Sequence, residues 1–152
     1  MRPQQATAVA DMVVLDLGVL VAPPGAGKTV MACAAIAHHD VPTLVVVDRN
    51  ELVDQWRTRL ETHLDIDPAR IGQIGGGRDK PGGVIDIAMI QSLARRDDPA
   101  LFDSYGLVVV DECHHGSGLG VIVVTGVLVA SQQHRGEHGR EHHGVLQHEQ
   151  NV

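Results

Sequence analysis

Short runs of apolar residues alternate with longer amphipathic stretches over the first two thirds of this chain. Four runs are rich in β-branched residues and end at turn residues or charges, which predicts strands at 18–22, 43–48, 84–90 and 107–111. Apolar residues at helical spacing predict helices at 28–38 and 50–63 and a short one around 91–95. This alternation indicates a three-layer α/β domain with a mainly parallel sheet.

The helix predicted at 50–63 is the most clearly patterned one. Asn50 is placed to cap its start, because an asparagine side chain can accept a hydrogen bond from an exposed backbone N–H. The apolar positions recur at helical spacing and are expected to face the sheet: Leu52, Val53, Trp56 and Leu60.

The composition supports one packed domain of 152 residues. Hydrophobic residues make up 43% of the chain but aromatic residues only 2%, so the core must be built from aliphatic side chains, as in a sheet covered on both faces. The formal net charge of −7 argues against a general polyanion binder. Any nucleic-acid contact is therefore expected to be local.

The two cysteines, Cys33 and Cys113, form no disulfide framework, and reduced thiols indicate a cytoplasmic location. The N-terminus has no signal-peptide pattern. The longest apolar stretch, 121–130, is shorter than the ~20 residues needed to span a bilayer.

A break in composition near residue 116 divides the chain. All seven prolines and all three aromatic residues precede it, whereas half of the ten histidines follow it. We therefore expect one folded lobe at 1–115 and an atypical tail at 116–152. The tail is predicted to contain one strand within 121–130 and then a weakly ordered, histidine-rich segment.

The segment 22–29 has the pattern of a phosphate-binding loop between a strand and a helix. Its glycines let backbone N–H groups point inward, and the positive end of the following helix favours an anion. Lysine and threonine at its end suit contacts to the β- and γ-phosphates of ATP and to Mg²⁺, respectively. The predicted nucleotide-binding residues are Pro24, Gly25, Ala26, Gly27, Lys28 and Thr29.

A second motif follows the apolar run 107–110, which carries Asp111 to the carboxyl end of a buried strand. Asp111 is predicted to hold Mg²⁺ together with Thr29, and Glu112 to orient and deprotonate the attacking water. The alternative is a solvated Asp-Glu pair at a strand end, which the phosphate loop makes less attractive.

Together these motifs resemble superfamily 2 helicases and translocases of the DEAD/DEAH kind, with Asp111–His114 as a DECH-type box. The resemblance covers residues 1–115 and implies the first RecA-like lobe of such an enzyme. It implies that Arg2 and Gln5 contact the adenine base. It also implies that His114 senses the state of the γ-phosphate and joins Lys28, Asp111 and Glu112 in catalysis.

The same resemblance extends to segments that contact nucleic acid in relatives. Residues 43–56 are similar to the second strand and following helix of these lobes, and Arg49 is the expected phosphate contact. Residues 88–93 are similar to the next strand-to-helix turn, which implies contacts from Gln91 and Ser92. The implied partner is nucleic acid, with DNA favoured over RNA.

The resemblance stops after His115. The Ser/Thr-Ala-Thr motif expected next is absent, and so is a second lobe carrying the arginines that complete the ATP site. We therefore expect a truncated or frameshifted first lobe that binds ATP weakly and hydrolyses it very slowly, unless another chain supplies the second lobe.

Two other interpretations remain open at this stage. The first is a P-loop ATPase of another class, such as a small-molecule kinase or protein remodeller. The second is a nucleotide-binding fragment without catalysis. Titration with ATP·Mg²⁺, with and without single-stranded DNA, separates these from a helicase domain. Whether the chain alone is an enzyme is left undecided by the sequence.

Overall fold

The computed structural model describes residues 1–14, 17–23, 25–113 and 120–126. The helices are α1 (Pro3–Val13), α2 (Lys28–His39), α3 (Asn50–Leu64) and α4 (Ile90–Ala94), with 3₁₀ turns at Pro68–Arg70 and Pro99–Ser104. The strands are β1 (Leu17–Ala22), β2 (Thr43–Val47), β3 (Ile71–Gly75), β4 (Arg78–Lys80), β5 (Ile85–Met89), β6 (Leu107–Cys113) and β7 (Gly120–Gly126).

All seven strands form one sheet in the order β1-β7-β6-β2-β5-β3-β4. Strands β6, β2, β5 and β3 pair in parallel. Strand β7 is antiparallel to both β1 and β6, so β1 points the same way as β6. Five strands therefore share one direction, which confirms the predicted α/β fold with a mainly parallel sheet.

The four strands and three helices predicted from the sequence are all present, with ends shifted by one or two residues. The strand expected within 121–130 is β7, and the remainder of that stretch, like the histidine-rich segment, lies outside the described residues. Helix α1 and the β3–β4 hairpin were not predicted. Helix α1 buries only Val9 and Met12, and β3 contains two glycines, so neither has a strong apolar period.

The prediction that Asn50 caps α3 is wrong. The N-cap residue is Arg49, whose backbone is extended, and it makes no side-chain capping hydrogen bond. Asn50 is already the first helical residue, and its side chain lies against the glycine turn after β3, where a Cβ on Gly76 would be 2.7 Å from Asn50 Oδ1. The polar side chain thus packs on the turn instead of over the free N–H groups.

Aliphatic side chains cover both faces of the sheet. Alternate residues of β2 divide between them, with Val45 and Val47 in the larger cluster beneath α1, α2 and α3. Leu44 and Val46 belong to a smaller cluster on the opposite face. The predicted apolar face of α3 is confirmed, because its Val53, Trp56 and Leu60 are buried and Leu52 packs against the same cluster.

A buried carboxylate connects the elements of the smaller face. Asp86 on β5 is 1% exposed and accepts hydrogen bonds from the Gly82 and Gly83 backbone N–H groups at 3.0 and 2.8 Å. The Tyr105 hydroxyl, just before β6, donates to the same carboxylate. Burial, followed by this bond and the carboxylate's charge, raises the pKa of Tyr105. The chain before β5 is therefore held to the chain before β6.

Cys33 lies on the buried side of α2, within the larger cluster, as a free thiol. Burial raises its pKa to about 11, and the charge of Arg59 opposes this only in part. None of the helices in the described part of the chain is long and apolar enough to cross a membrane.

We predict that Cys33 makes the fold less stable in alkali. The neutral thiol is favoured by the folded state, so its contribution is complete below pH 9 and is lost as the pH rises toward 11. Its full size is about 2 to 3 kcal/mol. Urea unfolding at pH 8 and pH 10.5 should show a smaller loss of stability for Cys33→Ala than for the wild type. Tyr105 titrates in both proteins, so equal losses would show that the thiol is not responsible.

Candidate functional site

Within the described part of the chain, the functional residues expected from the sequence lie at or beside the carboxyl edge of the parallel strands. The phosphate loop follows β1, and Asp111 lies near the end of β6. The register pairs Val110 with Val46, which puts Asp111 level with the last residue of β2. The chain then leaves β2 at Asp48 and β5 at Met89 on the same edge. Open α/β sheets bind ligands at such an edge.

The phosphate loop has the backbone that its sequence predicted. Gly25 and Gly27 have φ angles of 79° and 83°, in the left-handed region that glycine tolerates best. Helix α2 begins at Lys28 directly after the loop, so its free N–H groups and positive dipole end face the same space. Pro24, also predicted for this site, lies outside the described residues.

The lysine of the loop is folded onto the end of β1. Lys28 Nζ donates to the carbonyl oxygens of Ala22 at 2.9 Å and Pro23 at 3.3 Å. Beside it lies a cavity of about 270 Å³ lined by the loop, the start of α2 and one residue of α3: Gly25, Gly27, Lys28, Thr29, Val30 and Arg59. Arg59 was not predicted, because no local motif marks it and only the packing of α3 on α2 brings it here.

Helix α1 is fastened to the loop through Gln5. Its Nε2 donates to the carbonyl oxygen of Ala26 at 2.8 Å, and its Oε1 accepts from the Arg2 backbone N–H at 2.8 Å. The structure thus brings Gln5 to the phosphate loop, and Arg2 is hydrogen-bonded to Gln5. Their contact with an adenine base stays a prediction.

Asp111 is a buried carboxylate, 8% exposed, and Trp56 Nε1–H donates to its Oδ2 at 2.9 Å. Burial raises the pKa of Asp111, while the bond from Trp56 and the charge of Lys28 lower it and the charge of Asp48 raises it. The phosphate-loop lysine and the acidic motif are therefore close enough for the charge of Lys28 to act on Asp111. The side chain of Glu112 and the whole of His114 lie outside the described residues.

These residues fit an ATP·Mg²⁺ complex. The left-handed glycines, the ammonium of Lys28 and the helix terminus suit a polyphosphate, and the buried carboxylate of Asp111 suits a hard cation. Within the described ranges no three His, Cys, Asp or Glu side chains gather as a metal cage. Mg²⁺ commonly needs no such cage, because it takes one or two ligand oxygens from the protein and its remaining ligands from phosphate and water.

The predicted nucleic-acid contacts lie further along the same edge. Arg49 Nε is 3.5 Å from Asp48 Oδ1, a buried oxygen that accepts no hydrogen bond within the described part of the chain. Gln91 Nε2 donates to the Asp48 carbonyl at 3.0 Å. Ser92 packs on the glycine turn, since a Cβ on Gly75 would meet its Oγ. Asp48, which the sequence analysis did not single out, thus organises Arg49 and Gln91.

The fold and this edge define the class of protein: a RecA-like α/β domain similar to those of superfamily 2 helicases. The UvsW helicase of bacteriophage T4 superposes on it with a TM-score of 0.66 at 21% identity, covering 76% of this chain and 44% of the helicase. At that identity the likeness concerns the fold.

The chain belongs to the family described as type III restriction enzyme, res subunit, whose profile matches residues 1–135. It is 36% identical over 115 residues to the DNA 3'-5' translocase XPB2 of Sulfurisphaera tokodaii, covering 76% of this chain and 25% of the relative. It is 40% identical over 100 residues to the putative DNA 3'-5' helicase Rad25 of Haloarcula marismortui, covering 64% and 16%, respectively. The chain spans a quarter or less of the length of these two relatives.

We predict different costs for alanine at the two loop glycines. Each substitution forces a left-handed backbone on alanine, at about 1 to 2 kcal/mol. A Cβ at Gly25 meets nothing within 4 Å, whereas one at Gly27 would be 2.4 Å from Gln5 Nε2. Gly27→Ala should therefore lose about 1 kcal/mol more than Gly25→Ala, because the Gln5–Ala26 hydrogen bond is displaced.

Urea unfolding measures this difference, and a Gln5→Ala background is the control. The two alanine substitutions should cost nearly the same once the glutamine is removed. An equal cost in the presence of Gln5 would contradict the packing of α1 on the loop.

Proposed function

We propose that this chain is the ATP-binding lobe of a DNA helicase or translocase that couples ATP hydrolysis to DNA binding. The observation that carries the proposal is the shared edge, on which the phosphate loop, Asp111 and the Arg49–Gln91 group follow one another. Relatives described as DNA 3'-5' helicases and translocases support DNA as the nucleic acid. Nothing in the site favours another class of P-loop ATPase.

Each loop residue has a distinct task in this proposal. Lys28 exchanges the carbonyls of Ala22 and Pro23 for the β- and γ-phosphates, and the Thr29 hydroxyl and Asp111 hold Mg²⁺. When bound, Mg²⁺·ATP would supply the γ-phosphorus that water attacks, and the β–γ phosphoanhydride bond would break with ADP as the leaving group. Glu112 is the proposed base for that water.

Three further assignments belong to the same proposal. His114 is the proposed sensor of the γ-phosphate. Arg2 and Gln5 contact the base, and the bond from Gln5 to Ala26 supports this assignment because it brings α1 within reach of the nucleotide. Arg59, on the rim of the cavity, adds a second cation for the phosphates.

The pair Asp48–Arg49 provides a simple link to DNA. A DNA phosphate and the Asp48 carboxylate compete for the same guanidinium, so DNA binding would change the charge beside Asp111. Gln91 and Ser92 would donate to the backbone of the same strand. This arrangement makes ATP and DNA binding interdependent.

A complete ATPase cycle needs a second RecA-like lobe, whose arginines finish the site across a cleft. We propose that this lobe belongs to the functional protein, on the same polypeptide or on another chain. The buried free thiol of Cys33 is consistent with a reducing compartment such as the cytoplasm.

Removal of the loop lysine should abolish most nucleotide binding. Isothermal titration with ATP·Mg²⁺ is expected to show a Kd for Lys28→Ala that is ~10- to 100-fold higher than that of the wild type, because charge-assisted hydrogen bonds to phosphate are lost. Lys80→Ala is the matched control, because Lys80 is the chain's other lysine and lies on β4, at the far end of the sheet from β1. Equal affinities for both variants would contradict the proposed site.

Arg49→Ala should weaken single-stranded DNA binding and its coupling to ATP. Loss of one phosphate contact should lower the slope of log K against log salt by about 0.7 to 1. Fluorescence anisotropy of labelled DNA, with and without ATP·Mg²⁺, measures both effects. Arg70→Ala is the control at the opposite edge, before β3. DNA binding that is independent of nucleotide in the wild type would contradict the coupling.

A further inference from the structure

The side chain of Trp56 lies between α3 and the acidic motif. Helix α3 leaves the carboxyl end of β2 and runs back over the sheet. Helical side chains lean toward the N-terminus of their helix, so the indole reaches back toward the edge where Asp111 lies. Trp56 is 1% exposed, and its Nε1–H is 2.9 Å from Asp111 Oδ2.

A buried indole N–H needs an acceptor, and in most proteins any carbonyl would serve. Here the acceptor is Asp111, the carboxylate to which the proposed function assigns Mg²⁺. Within the described residues, Trp56 is the only side chain that donates a hydrogen bond to Asp111. An indole is a donor without acceptor capacity, so it binds the anion but cannot itself ligate Mg²⁺.

The charges around Asp111 explain why such a donor matters. Lys28 attracts the carboxylate toward the phosphate loop, and Asp48 repels it from the side of β2. The hydrogen bond from Trp56 to Oδ2 fixes the orientation of the Asp111 carboxylate against the attraction of Lys28 and the repulsion of Asp48. Oδ1, the oxygen that Trp56 does not contact, would then serve the cation or its water.

We propose that Trp56 is a positioning residue that orients the Asp111 carboxylate for Mg²⁺. This inference rests on the proposed function, in which Asp111 holds the ion. Groups that orient metal ligands from behind typically contribute 10- to 100-fold in metal affinity or activity. The role differs from core packing, because it depends on the N–H group and acts only when Mg²⁺ is bound.

The experiment compares nucleotide affinity with and without the ion. A fluorescent ADP analogue is titrated into the full 152-residue chain in Mg²⁺ and in EDTA, and the ratio of the two affinities is the Mg²⁺ enhancement. Trp56→Phe keeps most of the apolar volume and removes the donor. We expect its enhancement to fall ~10-fold while the affinity in EDTA is unchanged.

Leu60→Ala is the matched control on the same helix face, since Leu60 is equally buried and donates nothing. It should lower thermal stability and leave the enhancement intact. If Leu60→Ala loses the enhancement as Trp56→Phe does, packing of α3 is responsible and the proposal is overturned. An enhancement retained in Trp56→Phe overturns it equally.

A second readout needs no substitution of the tryptophan. Trp56 is the only tryptophan of the chain, so intrinsic fluorescence reports this bond directly. We expect the emission to shift when Mg²⁺ is added to the ADP complex and to lose that response in Asp111→Asn. If the wild type shows the Mg²⁺ enhancement but its emission does not change with Mg²⁺, the positioning role of Trp56 is overturned and the proposed function is not. A wild type without any Mg²⁺ enhancement overturns the proposed function and this inference together.

Discussion

Parallel strands can be joined only by crossovers that bring the chain back to the start of the next strand. This constraint puts the ends of β1, β6, β2, β5 and β3 on one edge of the sheet. The candidate groups that follow these strands then arrive there without any attraction between the groups themselves. The phosphate loop, the acidic motif and the Arg49–Gln91 group are far apart in sequence, and the direction of the strands alone makes them neighbours.

The fold also buries the Asp111 carboxylate at this edge, and it supplies partners for it. Asp111 is removed from water but is paired with an indole N–H and lies within the field of Lys28. A buried carboxylate without such partners would cost several kcal/mol. The partners come from α2 and α3, two of the three helices that cover the larger core cluster. The packing of these helices on the core therefore also determines the electrostatic environment of Asp111.

The sequence predicted the parts of this fold that rest on strong periodicity. Strands β2 and β6 are almost entirely β-branched or aliphatic, and α3 has a clear apolar stripe, so their existence and orientation followed directly. Helix α1 and the β3–β4 hairpin were not predicted, because their apolar residues are few or interrupted by glycine. The capping role of Asn50 failed because a side chain near a helix start has other partners that only tertiary structure reveals.

The candidate site divides in the same way. Lys28, Thr29 and Asp111 could be proposed from local motifs, because phosphate and magnesium chemistry requires those residue types beside glycines and strand ends. Asp48, Arg59 and Trp56 were not, since each acts through a neighbour more than twenty residues away or through a helix face. Local motifs name the groups that touch a ligand, whereas the groups that hold them in place are fixed by packing.

Strand β7 lies between β1 and β6, so the two strands that carry the motifs do not pair with each other. Neighbouring strands are about 4.8 Å apart, which makes the lateral gap between the motif strands about 10 Å. That width is a property of the ladder and not of either motif. Substitutions in the glycine loop or the acidic box can change what is held across the gap. The distance between β1 and β6 is set only by the insertion of β7 between them.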